Sequence, residues 1–301
     1  MIFEHSRFNS KINSGYLARD IIKVMGRGSA TAKKIATVLN EIHKSEHISS
    51  LNRINNEVIK NYENYLKSAV SNKELAPHTA QSYASALNAV VAYVNLRTDK
   101  NLKEISAFAA GIKNSIQYGG KSTSQELYNK VYTKLQENQQ IKQDLQRNLF
   151  LRVKESHCIK KDTIENALQT GILALNRENN DGTKNSRGRE VKIRTEAQRN
   201  ALNRALNYMT LHGQKSMIEN DKKFDQALSK YYRDIRAAGG TKKNNNGNNF
   251  SHGNRHAGIN DLADNILPSE NVTNAKEIDR IISSELGHGD DRTTDIYRNK
   301  H

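Results

Sequence analysis

The chain has 301 residues, and its 47 Lys and Arg outnumber 32 Asp and Glu to give a formal charge of +15. With a mean hydropathy of −0.81, no run approaches the ~18 apolar residues that a membrane span needs, and the N-terminal MIFEHSRFNSKINS lacks the apolar block of a secretory signal. The single cysteine, Cys158, excludes a disulfide framework and a multi-cysteine zinc site, and two prolines, no tryptophan and 6% aromatics disfavour an all-β sandwich.

Helices are therefore expected to dominate. Ile35, Val38, Leu39 and Ile42 recur at helical spacing over Ser29–His43, with Ser29 or Thr31 available as cap. Val58, Tyr62, Tyr65, Leu66 and Ala69 mark a second amphipathic helix. A third opens at Pro77, a favoured first-turn residue, and aligns Tyr83, Leu87, Val90, Val91 and Val94; a shorter fourth is expected around Leu102–Ile112. Together these describe a small bundle in which each helix buries one face.

The Gly119-Gly120 pair and Ser122-Thr123-Ser124 break the periodicity, which predicts domains at 1–118 and 127–301 joined by a linker at 119–126. Helical patterns resume at Leu127, Val131 and Leu135, then Leu145, Leu149 and Ile159. Between Ile172 and Thr195 two short runs flank a polar, Gly-containing turn, the pattern of a β-hairpin, and a helix follows over Ala197–Leu211. The stretch GGTKKNNNGNNFSHGN is low in complexity and reads as a mobile loop. The fold expected is mainly α with a small antiparallel sheet, as a helical bundle plus a mixed α+β domain.

Charge is shared between the halves: residues 1–120 carry 16 basic and 9 acidic residues, leaving 31 and 23 for residues 121–301. A basic excess spread over two domains points to a polyanionic partner, and nucleic acid is the one expected. The reactive residue types concentrate towards the C-terminal end. His252 and Arg255 are three apart, so a helical turn puts them on one face. His288 lies in Leu-Gly-His, Tyr297 follows nine residues later, Arg152 sits in a helical pattern, and Lys184 falls at the hairpin tip. Arginine offers a planar fork to phosphate oxygens, tyrosine a nucleophile, and lysine or histidine a proton for a leaving oxygen. This set can attack a phosphodiester without metal or cofactor.

In that order the residues resemble the tyrosine site-specific recombinases, the phage-integrase and chromosome-dimer-resolvase group. LGHGDDRTTDIY (Leu286–Tyr297) is similar to the family's Leu-Gly-His box and its Thr-Thr-x-x-Tyr; HGNRH (His252–His256) resembles its His-x-x-Arg-His box; LRVKES (Leu151–Ser156) resembles its Leu-Arg-x-x-Glu. Setting Arg189-x-Val191-x-Ile193 on the family's hairpin strand puts the family lysine at Lys184. The sequence departs from the family in several places, and one is the interval from Arg255 to His288, which is longer than typical and contains Pro268 and polar residues. Leu149-Phe150 stands where Thr-Gly commonly precedes the first box, Gly253-Asn254 fills the middle of the second, and only four residues follow Tyr297.

The resemblance implies a helical core-binding domain followed by a catalytic domain that recombines or integrates DNA through a 3′-phosphotyrosyl intermediate. Tyr297 would be the nucleophile, with Arg152, Arg255 and His288 on the phosphate, His252 on the tyrosine proton and Lys184 on the leaving 5′-oxygen. Glu155 would orient its neighbours. The implied partner is double-stranded DNA, engaged as a homotetramer on paired sites, with room for an accessory DNA-bending protein and a cytoplasmic, nucleoid-associated location. Type IB topoisomerase-like relaxation and a catalytically silent DNA-binding protein of the same fold are the competing readings.

Overall fold

The computed structural model describes residues 7–26, 28–106, 121–176 and 188–287. The chain divides into two compact units, Met1–Ile116 and Gln117–His301.

The first unit is built from α1 (Lys11–Val24), α2 (Ser29–Glu46), α3 (Asn56–Ser71) and α4 (Pro77–Arg97). Sequence periodicity marks the last three; α1 precedes them and buries Ser14, Leu17, Ala18 and Ile21, a stripe at i, i+3, i+4 and i+7. Ser10 caps α1 by accepting the Asn13 N–H, and Asn55 caps α3 by accepting the Val58 N–H. Gly28, rather than Ser29 or Thr31, occupies the cap position of α2. The core is a single apolar cluster that includes Leu17, Ile35, Leu39, Ile42, Leu66, Leu87 and Val90.

The helix expected around Leu102–Ile112 is not formed over its described part, residues 101–106. That segment runs along α4 instead. Asn95 exchanges both amide hydrogen bonds with the Leu102 backbone and Asn88 does the same with Ile105, all four at 2.9 Å. Two asparagines seven apart lie on one helix face and supply the partners that a helix would otherwise supply internally.

The second unit comprises α5 (Gln125–Tyr132), α6 (Glu137–Asn148), α7 (Val153–Cys158), α8 (Lys161–Thr170), β1 (Ile172–Leu175), β2 (Arg189–Lys192), α9 (Glu196–Leu211), α10 (Phe224–Ala237), α11 (Phe250–Asp261), α12 (Leu267–Ser269) and α13 (Ala275–Leu286). β1 and β2 pair antiparallel, with Leu173 opposite Val191 and Leu175 opposite Arg189. Thr195 and Gln198 form a reciprocal capping box that starts α9. A π-helical turn, Leu262–Ile266, joins α11 to α12. The main core gathers Ile141, Leu145, Leu151, Ile164, Leu173, Val191, Leu202, Ile259 and Ile282, and a smaller one packs Tyr128, Val131, Tyr231, Ile235 and Phe250.

The low-complexity stretch is also more structured than its composition suggests. Residues 241–249 form a tight turn around buried Asn245, whose N–H bonds the Thr241 carbonyl while Asn248 N–H bonds the Asn245 carbonyl at 2.7 Å. Its last residues, from Phe250, already belong to α11. Asparagine competes well for backbone groups, so an Asn-rich run can close its own hydrogen bonds. Thr123 is buried and tied to α11 by bonds from its N–H to the Gly253 carbonyl (3.0 Å) and from its hydroxyl to the Phe250 carbonyl (3.1 Å).

Candidate active site

A break in helix, between α6 and α7, begins the site. Phe150 adopts φ +57°, a left-handed conformation that bulky residues rarely take, and is held there by a fully packed ring. The turn carries Arg152 out of the helical path, to the residue before α7, with extended backbone. Arg152 therefore caps a helix where sequence periodicity predicts a place inside one.

One turn on, Glu155 is fully buried. Its carboxylate accepts the Arg152 N–H (2.6 Å), the Arg152 guanidinium (2.7 Å) and the Arg189 guanidinium (2.8 Å). Arg189, itself buried, also donates to the Phe150 carbonyl at 3.1 Å and to the Glu285 carbonyl. Arg152 reaches the Leu286 carbonyl at 3.0 Å. Gly287 follows in a left-handed conformation (φ +65°), and a Cβ there would come within 3.2 Å of the Arg189 side chain. A helix start and a β-strand thus meet on one carboxylate, and the end of α13 is tied to the two arginines that bond it. Burial alone would push the Glu155 carboxyl up, but the cations Arg189, Arg152 and Arg255 overwhelm that and hold it down at about 2.

α11 supplies His252, Arg255 and His256 on one side. Arg255 is 2% exposed and His256 1%, whereas His252 keeps an exposed edge. The Nε2 atoms of His252 and His256 lie 3.1 Å apart, with the rings perpendicular and their centroids 4.5 Å apart. Partial burial of the imidazole and the positive charges of Arg255, Lys121 and Arg152 push His252 down to about 4. It is neutral at pH 7.

Two features fix α11 against the rest of the unit. The first is a buried polar network. Asn254 donates to Gln143, Gln143 and Gln146 both bond the Tyr231 hydroxyl (2.9 Å from Gln146), that hydroxyl meets Ser251 at 2.8 Å, and Gln146 donates to Ser156 at 2.9 Å. It links α6, α7, α10 and α11, the helices around both arginines. The second is close approach at two glycines. A Cβ on Gly253 would lie 2.3 Å from the Thr123 hydroxyl, and one on Gly258 would lie 1.8 Å from the Arg147 carbonyl. The missing side chain at Gly253 leaves room for the 121–124 segment, whose Lys121 acts on His252 through its charge.

Of the six residues singled out from sequence, the structure brings the charges of Arg152 and Arg255 to bear on both Glu155 and His252. Lys184, His288 and Tyr297 lie outside the described residues. Sequence reasoning missed Arg189 as a member of the site, using it only to align the hairpin. The signal was available: in β2 Arg189 and Val191 alternate inward while Glu190 and Lys192 face out, so a charged residue holds a core-facing strand position. Among the described residues no three His, Cys, Asp or Glu side chains group as metal ligands would, and no described helix is long and apolar enough to cross a membrane.

Residues 17–95 match the phage integrase SAM-like domain. No curated protein matches the chain in sequence. Among solved structures, a lambda integrase dimer bound to a COC′ core site is similar over 95% of this chain and 76% of that one, at 14% identity and TM-score 0.62. A lambda integrase tetramer bound to a Holliday junction covers 94% and 76% at 14% identity and TM-score 0.60. The Tn1549 transposon integrase in complex with transposon right end DNA covers 96% and 95% at 11% identity and TM-score 0.56. At these identities the likeness is one of fold.

Proposed function

We propose that this chain, a tyrosine recombinase by its fold and by its phage integrase SAM-like domain, performs site-specific cutting and rejoining of duplex DNA. In this reading residues 1–118 form the core-binding domain, 119–126 the linker and 127–301 the catalytic domain. The observation that carries the reading is the arrangement around Glu155. Arg152 and Arg255 share one site with a neutral histidine, and a buried carboxylate and Arg189 preorganise Arg152.

Preorganised cations stabilise the charge that develops on phosphate oxygens in the transition state without reorganising at the moment of reaction. Arg152 and Arg255 take that role. The Leu286 carbonyl, two residues before His288 in the chain, accepts from Arg152, which supports His288 as a further phosphate donor. Tyr297 attacks phosphorus and becomes linked to the 3′-phosphate. His252 receives the tyrosine proton, and Lys184, from the hairpin between β1 and β2, gives a proton to the departing 5′-oxygen. The covalent link conserves the phosphodiester bond energy for rejoining. The similar structures of integrase dimers and tetramers on DNA support duplex DNA as substrate and a homotetramer on paired sites as the working assembly.

A nicked suicide substrate tests the proposal, because the short released strand leaves the enzyme trapped on DNA. Wild-type protein should form a covalent adduct, and Tyr297→Phe should bind DNA equally well and form none. An adduct on the Tyr297→Phe variant would place the nucleophile elsewhere. DNA binding with no adduct from the wild type would make the chain a DNA-binding protein that keeps the fold alone.

A further inference from the structure

We propose that Lys121 is a further DNA-contacting residue of the site, and that its ammonium binds the backbone phosphate next to the one that is cut. The inference deepens the reading above and rests on it for the identity of the polyanion. The segment 121–124 crosses α11 beside His252 and is pinned there by three hydrogen bonds. Thr123 donates its N–H to the Gly253 carbonyl (3.0 Å) and its hydroxyl to the Phe250 carbonyl (3.1 Å), and Asn260 donates to the Ser122 hydroxyl at 2.8 Å. The Lys121 carbonyl lies 2.9 Å from where a Cβ on Gly253 would stand. The backbone of Lys121 is therefore held against the residue that follows His252, on the helix that also carries Arg255, and the flexible four-carbon stem carries the charge on from that anchor.

Charge gives this placement a purpose. The charges that act on His252 are those of Arg255, Lys121 and Arg152, and all three are positive. Arg152 is answered by Glu155 at 2.7 Å. Lys121 is partly exposed, and among the described residues no carboxylate pairs with it. Like charges brought to one place repel, and an anion that enters the cluster relieves all of them at once. A glycine and three hydrogen bonds thus keep a cation where it is unfavourable in the free protein and useful once a polyanion is bound.

Donor chemistry selects the phosphate. The non-bridging oxygens of the cleaved phosphate go to Arg152 and Arg255, whose planar forks match them. An ammonium is a point charge with three rotatable donors and needs no such fit. It suits the neighbouring phosphate, where no bond is made or broken and the contact serves to fix the register of the strand. Lys121 therefore acts on affinity, and the arginines act on the transition state.

The test uses the full chain and the nicked suicide duplex, with binding read on the Tyr297→Phe background so that no adduct interferes. Adding Lys121→Met keeps the stem and removes the charge. Affinity should fall by roughly five- to tenfold at 0.1 M salt, and the slope of log affinity against log salt should flatten by about 0.9, the value for one phosphate contact. Lys121→Arg should stay within about twofold of the parent, since a guanidinium also holds a phosphate. A single neutral methylphosphonate then locates the contact. Placed in turn on the two neighbours of the cleaved phosphate, it should at one of them abolish the difference made by Lys121→Met. Equal salt slopes with and without Lys121→Met would overturn the proposal, and so would a difference that vanishes only with the methylphosphonate at the cleaved phosphate, or at none of the three. With Tyr297 present and protein saturating, Lys121→Met should cleave within about threefold of wild type. A loss of about a hundredfold that a sulfur leaving atom restores would make Lys121 a proton donor and refute the phosphate role. If wild-type protein forms no adduct, the recombinase reading fails, while the salt slopes still decide whether Lys121 binds a backbone phosphate.

Discussion

The two units of the chain bury different things. In the first, the only fully buried polar side chain among the described residues is Ser14, whose hydroxyl donates to Asn40 at 2.8 Å. In the second, Gln143, Gln146, Glu155, His157, Arg189, Asn254, Arg255 and His256 are all buried among the apolar side chains. Removing an ion from water costs several kcal/mol, and a buried ion pair rarely outperforms hydrophobic packing. A unit that carries such a set gives up stability to keep charged groups in a defined geometry. The first unit needs only shape and apolar area, and the second needs fixed directions for two arginines and a histidine.

The largest test of that contrast is Glu155→Ala. It leaves Arg189 buried beside an empty space, and breaking a buried pair from one side should destabilise the second unit by about 3–5 kcal/mol. Hydrogen exchange resolved by unit should show faster opening of α6, α7 and α11, with α1–α4 unchanged. Equal loss of protection in both units would show that their stabilities are not separable.

Acid should also discriminate between them. His157 is fully buried, donates to the Val153 carbonyl at 2.7 Å, and is pushed down to about 3 by burial and by nearby Lys142. Between pH 6.5 and 3 the unfolded chain binds a proton there that the folded chain refuses, so stability falls as pH falls through that window. From pH 7 to 4 the loss should be on the order of 3 kcal/mol. Glu155, held at about 2, adds a loss in the same direction between about pH 4.5 and 2. His157→Gln should flatten the upper part of the profile of the second unit, measured by urea unfolding at each pH.

Matched substitutions to methionine sharpen the comparison further. Gln146→Met in the second unit keeps the volume but removes the partner of Ser156 and Tyr231, which should cost about 2 kcal/mol. Leu39→Met in the first unit should cost about 1 kcal/mol, since volume-conserving apolar swaps are well tolerated. The smallest expected effect is at Phe150. Phe150→Gly and Phe150→Ala both lose the ring, but only glycine suits φ +57°, so the glycine variant should be about 1 kcal/mol more stable than the alanine variant. Equal stabilities would mean that the turn relaxes once the ring is gone.

The legible parts of the fold were those governed by period. The apolar stripes of α2, α3 and α4, the Pro77 start and the paired strands around Val191 can each be read from spacing, because a helix or strand that buries one face must repeat its apolar residues. The segment at 101–106 was misread because Leu102 and Ile105 are spaced like a helix face, while the asparagines that hold the segment extended lie on α4. In the candidate site, Arg152, His252 and Arg255 were legible through local motifs of a few residues each.

Composition, the apolar period and the short motifs were sufficient for a mainly helical, basic, two-unit chain and for part of its candidate site, since these depend on neighbours along the chain. Tertiary structure alone decided that Glu155 is the anion on which Arg152 and Arg189 converge and that His252 faces His256 through Nε2. It also decided that Gly253 and Gly258 are the points where other segments cross α11. Apart from the Arg152–Glu155 pair, which the turn at Phe150 sets up locally, and the histidine pair, whose rotamers packing selects, these facts concern charges and backbones that meet across 30 or more residues of sequence. Desolvation and close contact act between atoms in space and leave no period in the sequence.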